Sequence, residues 1–274
     1  MDFKSKCINI RKNILTELGT LGVGHIGGSL SMVELLAVLY GKHMRVDPKN
    51  PKKEGRDRLV VSKGHSGPAV YAVLCEMGYF PKSWLETLNK SGTKLPSHCD
   101  MNLTPGIDMT TGSLGQGFSC AVGIALASKL KKDNAYIYCV IGDGESQEGQ
   151  IWEAALMAAH HKLDNFIAFT DNNKLQLDGK VEDICSIEPI QDKWKSFGFN
   201  VINVENGHSC EEIDKAICSA KQSNLPSMII LNTIKGYGLK FAVEAGISNH
   251  SMTITNEMFK EGLKELEDNS NGNA

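Results

Sequence analysis

From Arg58 onward, short apolar runs alternate with longer segments whose apolar residues recur at helical spacing. RLVVS (58–62), AYIYCVIG (135–142), NFIAFTD (165–171), NVINVE (200–205) and SMIILNTI (227–234) are rich in Val, Ile, Tyr and Phe, which predicts five strands. Between them the spacing predicts helices over 67–77, 115–131, 148–161, 189–197 and 210–222. Strands and helices in alternation imply an α/β fold, a largely parallel sheet flanked by helices. The opening MDFKSKCINIRKNILTEL places charges among apolar residues at helical spacing, without the unbroken apolar stretch of a signal peptide. No internal repeat or long linker interrupts the pattern. Residues 1–267 are therefore expected to form one domain, followed by a polar tail over 268–274.

Ligands of open parallel sheets bind beyond the carboxyl ends of the strands. Three unusual clusters fall there: Gly64-His65-Ser66, Gly142-Asp143-Gly144 and Asp171-Asn172-Asn173. Taken singly, the last two are ordinary turn formers. Their spacing across one strand-helix-strand unit says more. Gly142 and Gly144 permit a tight turn and close backbone approach, Asp143 offers a hard carboxylate oxygen, and one crossover later Asn173 offers an amide oxygen. With a backbone carbonyl near Leu175, these would hold Mg2+, or Ca2+ or Mn2+ in its place, and leave positions for two diphosphate oxygens and water. The helix that follows turns its free N–H groups toward the anion.

Charge narrows the partners. The 29 Lys and Arg balance 32 Asp and Glu, a net charge of -3, so no field gathers nucleic acid or an anionic membrane. No stretch reaches membrane-spanning length. The eight cysteines are scattered without a C-x-x-C pair and read as reduced thiols of a cytoplasmic protein.

Gly-Asp-Gly followed after a crossover by Asn-Asn resembles the thiamine diphosphate motif, and GDGESQEG resembles its transketolase form. GHIGGSLSMVELLAVLY (24–40), RLVVSKGHSGPAVYA (58–72), TTGSLGQG (110–117) and TIKGYG (233–238) match that family in its expected order, over nearly the whole chain. The resemblance implies the diphosphate-type thiamine diphosphate fold and metal ligation by Asp143, Asn173 and the Leu175 carbonyl. It also implies cofactor contacts by His65, Gly112, Leu114, Gly142, Gly144, Glu148 and His250, with Glu148 at a subunit interface linking cofactor sites. His25, on residue type alone a packing or surface histidine, becomes by resemblance a catalytic group beside His65 and His98, touching donor hydroxyls or moving protons. Two departures stand out: Ile26 replaces the usual proline after His25, and the His-Pro-Glu pattern around His98 is missing. His160 and His161 suit a helix carboxyl end, and His43 and His208 show no surrounding chemistry.

In this family a second domain binds the aminopyrimidine and supplies the activating glutamate. The chain ends soon after TIKGYG. The expectation is therefore a split enzyme, inactive alone, whose partner subunit carries that pyrimidine domain, in a heterotetramer of two such pairs. The implied reaction moves a two-carbon ketol unit between sugar phosphates. Competing readings are another two-chain thiamine diphosphate enzyme, acting on 2-oxo acids or an unusual sugar, and a non-catalytic cofactor-binding subunit.

Overall fold

The computed structural model describes residues 2–270. In chain order the elements are α1 (Phe3–Leu21), β1 (Val23–Gly24), α2 (Ile26–Leu30), α3 (Val33–Val38), β2 (Arg58–Val61), α4 (Gly67–Glu76), α5 (Gln116–Lys131), β3 (Ile137–Gly142) and α6 (Gly149–His160). There follow β4 (Phe166–Asn172), α7 (Val181–Cys185), α8 (Ile190–Ser196), β5 (Asn200–Val204), α9 (Cys210–Ala220), β6 (Ser227–Asn232), α10 (Lys240–Glu244), β7 (Met252–Thr253) and α11 (Asn256–Ser270).

The five expected strands form one parallel sheet in the order β2-β3-β4-β6-β5. Side chains alternate across it, and the burial follows that period of two. Tyr138, Val140, Ile167 and Phe169 enter the core that α1, α3, α4 and α9 cover. Ile137, Cys139, Ile141, Phe166 and Ala168 enter the opposite core, beneath α5, α6 and α8. Both faces are dry, so the strands read as continuous apolar runs. In the second core Phe118, Phe166, Trp194 and Phe199 meet in tilted and edge-to-face contacts, with ring centroids 5.1–6.5 Å apart. Such offset contacts add about 0.5–1.5 kcal/mol each beyond burial.

Helix α1 starts where the Asp2 side chain accepts the Ser5 N–H (3.1 Å) and stops at left-handed Gly22. The segment after His25 does not form one continuous helix. Residues 26–40 are buried throughout, and they form α2, α3 and a π turn over Leu39–His43. The expected polar tail is helical as far as Ser270, because α11 packs on α1; residues 271–274 lie outside the described residues. A two-stranded antiparallel pair, β1 with β7, ties Val23 and Gly24 to the segment after His250. No helix among the described residues is long and apolar enough to cross a membrane.

Candidate active site

A cavity of about 450 Å³ opens at the carboxyl ends of β2, β3 and β4. His25, His65, His98, His250, Gly112, Leu114, Gly142, Asp143, Gly144, Glu148, Asn173 and Leu175 all line it. A wider hollow of about 710 Å³, between residues 49–58 and 101–108, contains none of these groups. Backbone crowding explains how loops so far apart in sequence converge. A Cβ on Gly64 would lie 2.7 Å from the Gly112 nitrogen, so glycine there lets the loop after β2 pass against the loop before α5.

Glu145 staples three of these loops together. Its buried carboxylate accepts from the Ser62 hydroxyl, the Gly115 N–H (2.9 Å) and the Gly142 N–H (3.1 Å). It lies in a short 3-10 turn, Gly144–Gln147, that separates Asp143 from α6. Helix α6 opens at Gly149, within one residue of the expected start. Glu148, exposed at its first cap position, makes no capping bond and lies instead against Gly115 at the cavity rim.

Four imidazoles form a ring on one side of the cavity. The His25 centroid is 5.6 Å from His65, 5.8 Å from His98 and 5.4 Å from His250, and His65 is 4.8 Å from His250. Burial pushes every one of them below the ordinary histidine range. The Lys63 ammonium adds to this at His65, and Lys235 lowers His250 further, to about 4. All four are neutral at pH 7 in the protein alone, able both to accept and to donate a hydrogen bond.

Asp143 sits opposite, on the turn after β3. Burial and the neighbouring Asp171 charge push its carboxyl up to about 7, against the N–H groups of Gly144 and Lys174 that donate to it. Lys174 has a left-handed backbone, φ 66°, and this strained turn aims its N–H at Asp143 while carrying Asn173 and Leu175 past it. The Asn173 amide nitrogen donates to Asp171 (3.1 Å), which fixes the amide with its oxygen accepting from the Leu175 N–H (3.1 Å). The Leu175 carbonyl accepts from the Lys235 ammonium at 3.1 Å. Asn172, between Asp171 and Asn173 in sequence, turns away and donates to Asn232 on β6.

Apart from position, the charges beneath this floor carry no local signature in the sequence. Lys63, 1 % exposed, donates to Asp171 and to the Gly28 carbonyl (2.8 Å). Asp171 also accepts from Ser31 and Thr233. Burial alone would raise it, and the Lys63 ammonium together with the Ser31 and Thr233 hydroxyls holds it below the usual carboxylate range. Lys235 is lowered to about 8 by burial and by Lys63, with Asp143 and Asp171 opposing. The one available signal was position: Asp171 ends a strand that is otherwise apolar, and Lys63 follows another.

His208, read as structural, belongs to a buried network behind the 233–238 segment. Its ring pairs with Glu34 (3.2 Å), accepts the Ile234 N–H (2.8 Å) and stacks on Tyr237 at 3.7 Å. Arg11 completes the network, donating to Glu34 (2.7 Å) and to the Tyr237 carbonyl (3.1 Å). His43, also read as structural, pairs with Asp214 at 2.7 Å and does not line the cavity.

The residues present suit both a divalent cation and a diphosphate. Asp143, Asn173 and Leu175 supply three hard oxygens of the kind Mg2+ prefers. Asp143 is a buried carboxylate whose charge is only partly answered, which a cation would repair. Lys63 and Lys235 supply buried positive charge beside it, suited to phosphate oxygens.

Comparison with known proteins agrees with this geometry. Residues 4–265 match the family model described as transketolase, thiamine diphosphate binding domain. The chain is 55 % identical to the 6-deoxy-6-sulfo-D-fructose transketolase subunit of a Clostridium species, covering 97 % of each chain. It is 38 % identical to an apulose-4-phosphate transketolase subunit of Actinobacillus succinogenes, covering 98 % of this chain and 96 % of that one. The crystal structure of Campylobacter jejuni transketolase superposes with a TM-score of 0.88 at 32 % identity, over 97 % of this chain but 43 % of the other. The chain belongs to the transketolases, as the thiamine diphosphate binding domain of that family.

Proposed function

We propose that this chain is the diphosphate-binding half of a two-chain transketolase that moves a two-carbon ketol unit from a ketose phosphate to an aldose phosphate. The observation that carries the reading is the ring of four neutral imidazoles facing Asp143, Asn173 and Leu175 across one cavity. Bound thiamine diphosphate supplies the nucleophilic carbon and electron sink that ketol transfer needs.

Asp143, Asn173 and the Leu175 carbonyl would hold Mg2+, and Gly142 and Gly144 would let the backbone approach the diphosphate. His65 and His250 would contact the diphosphate, and Gly112 and Leu114 the cofactor rings. His25, with His65 and His98, receives the donor hydroxyls; a neutral imidazole can take a proton from one hydroxyl and return it to another. Beside an anionic cofactor these imidazoles would be shifted back up toward the ordinary histidine range, against the effect of Lys63 and Lys235.

A second protein surface is expected over the mouth. Leu114, Leu177 and Ile184 stand 37 %, 59 % and 50 % exposed around it, an apolar rim of the kind that marks an interface. Relatives of nearly equal length are named as transketolase subunits. We assign that surface to a subunit carrying the pyrimidine domain, two pairs making a heterotetramer. The eight free thiols suit a reducing, cytoplasmic setting.

The 55 % identical relative favours a second reading of the donor: a ketose whose terminal anion is a sulfonate rather than a phosphate. One experiment separates them. The chain is mixed with its partner, thiamine diphosphate and Mg2+, then offered xylulose 5-phosphate or 6-deoxy-6-sulfofructose, each with an aldose phosphate. Ketol transfer from either supports the transketolase reading, and the faster donor names the anion. Equal rates for the chain alone and the mixture would sink the split site.

A further inference from the structure

We propose that Cys7 and Cys210 form a redox-sensitive thiol pair, closed to a disulfide by hydrogen peroxide, behind the segment that carries Lys235. The two lie 203 residues apart in sequence, yet their sulfurs are 3.9 Å apart, within hydrogen-bonding distance. Among the described residues no other two cysteines make such a contact. Cys7 is buried on α1, and Cys210 is the half-buried first residue of α9.

Both cysteines line a cavity of about 420 Å³, shared with Arg11, Glu34, His208 and Tyr237. A small peroxide therefore has a route to them. Their environments also differ in a way that divides the labour. The contact with the Cys7 sulfur holds Cys210 below the ordinary thiol range, and the Arg11 guanidinium acts in the same direction against burial and Glu34. The amino end of the 11-residue α9 adds to that preference for a thiolate. Cys7 is pushed up by the same contact and by burial. Cys210 is the attacking sulfur and Cys7 the resolving one.

The chemistry balances. The Cys210 thiolate attacks one peroxide oxygen; an S–O bond forms, the O–O bond breaks, and hydroxide leaves as water after taking a proton. Cys7 sulfur then attacks the sulfenic Cys210 sulfur; the S–S bond forms, the S–O bond breaks, and the leaving hydroxide takes the Cys7 proton. Two electrons pass from the thiol pair to peroxide, which becomes two waters.

Closing the bond brings the sulfurs from 3.9 Å to about 2.05 Å. Cys7 lies one helical turn before Arg11, and Cys210 two residues after His208. Arg11 holds the Tyr237 carbonyl and His208 holds the Ile234 N–H, on either side of Lys235. Drawing α1 and α9 together displaces both holds, and with them the Lys235 ammonium that meets Leu175 on the cavity floor. Oxidation therefore weakens cofactor binding. That consequence rests on the transketolase reading of the cavity; the disulfide itself does not.

The test treats the reconstituted complex with hydrogen peroxide, maps its peptides without reductant, and measures the KM for thiamine diphosphate before oxidation, after it, and after dithiothreitol. The expected result is a cross-linked peptide pair containing Cys7 and Cys210, with a several-fold rise in cofactor KM that the reductant reverses. Cys7→Ser and Cys210→Ser should each abolish both changes. No cross-link at peroxide doses that oxidise exposed Cys185 and Cys218 would overturn the pair. A cross-link with unchanged KM would overturn the coupling. A complex without ketol transfer in any state would overturn the functional reading, while the peptide map would still decide the thiol pair.

Discussion

The loops beyond β2, β4 and β6 and the interior of α1 each bury an acid, in opposite surroundings. Asp171 receives an ammonium from Lys63, an amide from Asn173 and hydroxyls from Ser31 and Thr233. Glu17, on α1 and wholly buried, has no hydrogen-bond partner for either carboxyl oxygen. Burial drives Glu17 well above the ordinary carboxylate range, whereas Lys63 and the two hydroxyls keep Asp171 below it. Depth is the same in the two places; supply of donors is not. A buried acid keeps its charge only where the fold brings positive charge and N–H groups to it. The strand ends do this because several chain turns converge there, and the face of a packed helix does not.

The largest effect should come from breaking the compensated side. Lys63→Met leaves Asp171 ionised and buried without its ammonium, which should cost about 3–5 kcal/mol in urea unfolding. Adding Asp171→Asn should recover most of that loss, since the uncompensated charge is then gone as well. If the single and double variants unfold alike, the ion pair is not what keeps this floor together.

A second test separates stability from function within the same region. Asp143→Asn keeps one of the two oxygens that separately accept the N–H groups of Gly144 and Lys174, so the fold should persist at the cost of about one hydrogen bond. It removes the anionic oxygen offered to the cation. Ketol transfer by the reconstituted complex should fall at least about 100-fold, and the rise in Tm that thiamine diphosphate and Mg2+ give the unaltered complex should vanish. Retained activity with intact cofactor-dependent stabilisation would remove Asp143 from the metal site.

The two regions were also unequally legible in the sequence. All five strands of the sheet could be read because β-branched and aromatic runs are bounded by Gly, Asp and Asn, and their observed limits shift by at most two residues. Asp143 and Asn173 stood out as polar groups at the ends of apolar runs. Their neighbours Lys63 and Lys235 lay inside the same motifs, but what they do depends on partners 108 and 60 residues away, which no local pattern records. His208 looked inert for the same reason, since Glu34 is 174 residues distant. The break between α2 and α3 left no trace because residues 26–40 are buried on every side, and a helix without a polar face has no period to detect. Glu17 in turn resembled any surface acid of an amphipathic helix.

The smallest effect, and the one that reads the comparison most directly, is the pH dependence contributed by Glu17. Its carboxyl belongs to the packing of α1 on α4, and its charge is felt by Tyr71, Cys75 and Cys99. A carboxyl whose folded pKa exceeds its unfolded value holds a proton in the native state that the unfolded chain has already released. Stability from this group is then fully present below 4.5, the ordinary value for glutamate, and declines as pH rises above it. For one proton the decline approaches about 1.4 kcal/mol per pH unit, continuing until the folded pKa is reached. Glu17→Gln fills nearly the same volume and does not titrate. Subtracting its urea-unfolding free energies from those of the unaltered chain, between about pH 5 and 7, cancels the other titrating groups and leaves that slope. The difference should move against the unaltered chain as pH rises, the reverse of what a compensated carboxylate gives. Parallel curves would mean that Glu17 ionises in place without cost, and the contrast between the two acids would lose its physical basis.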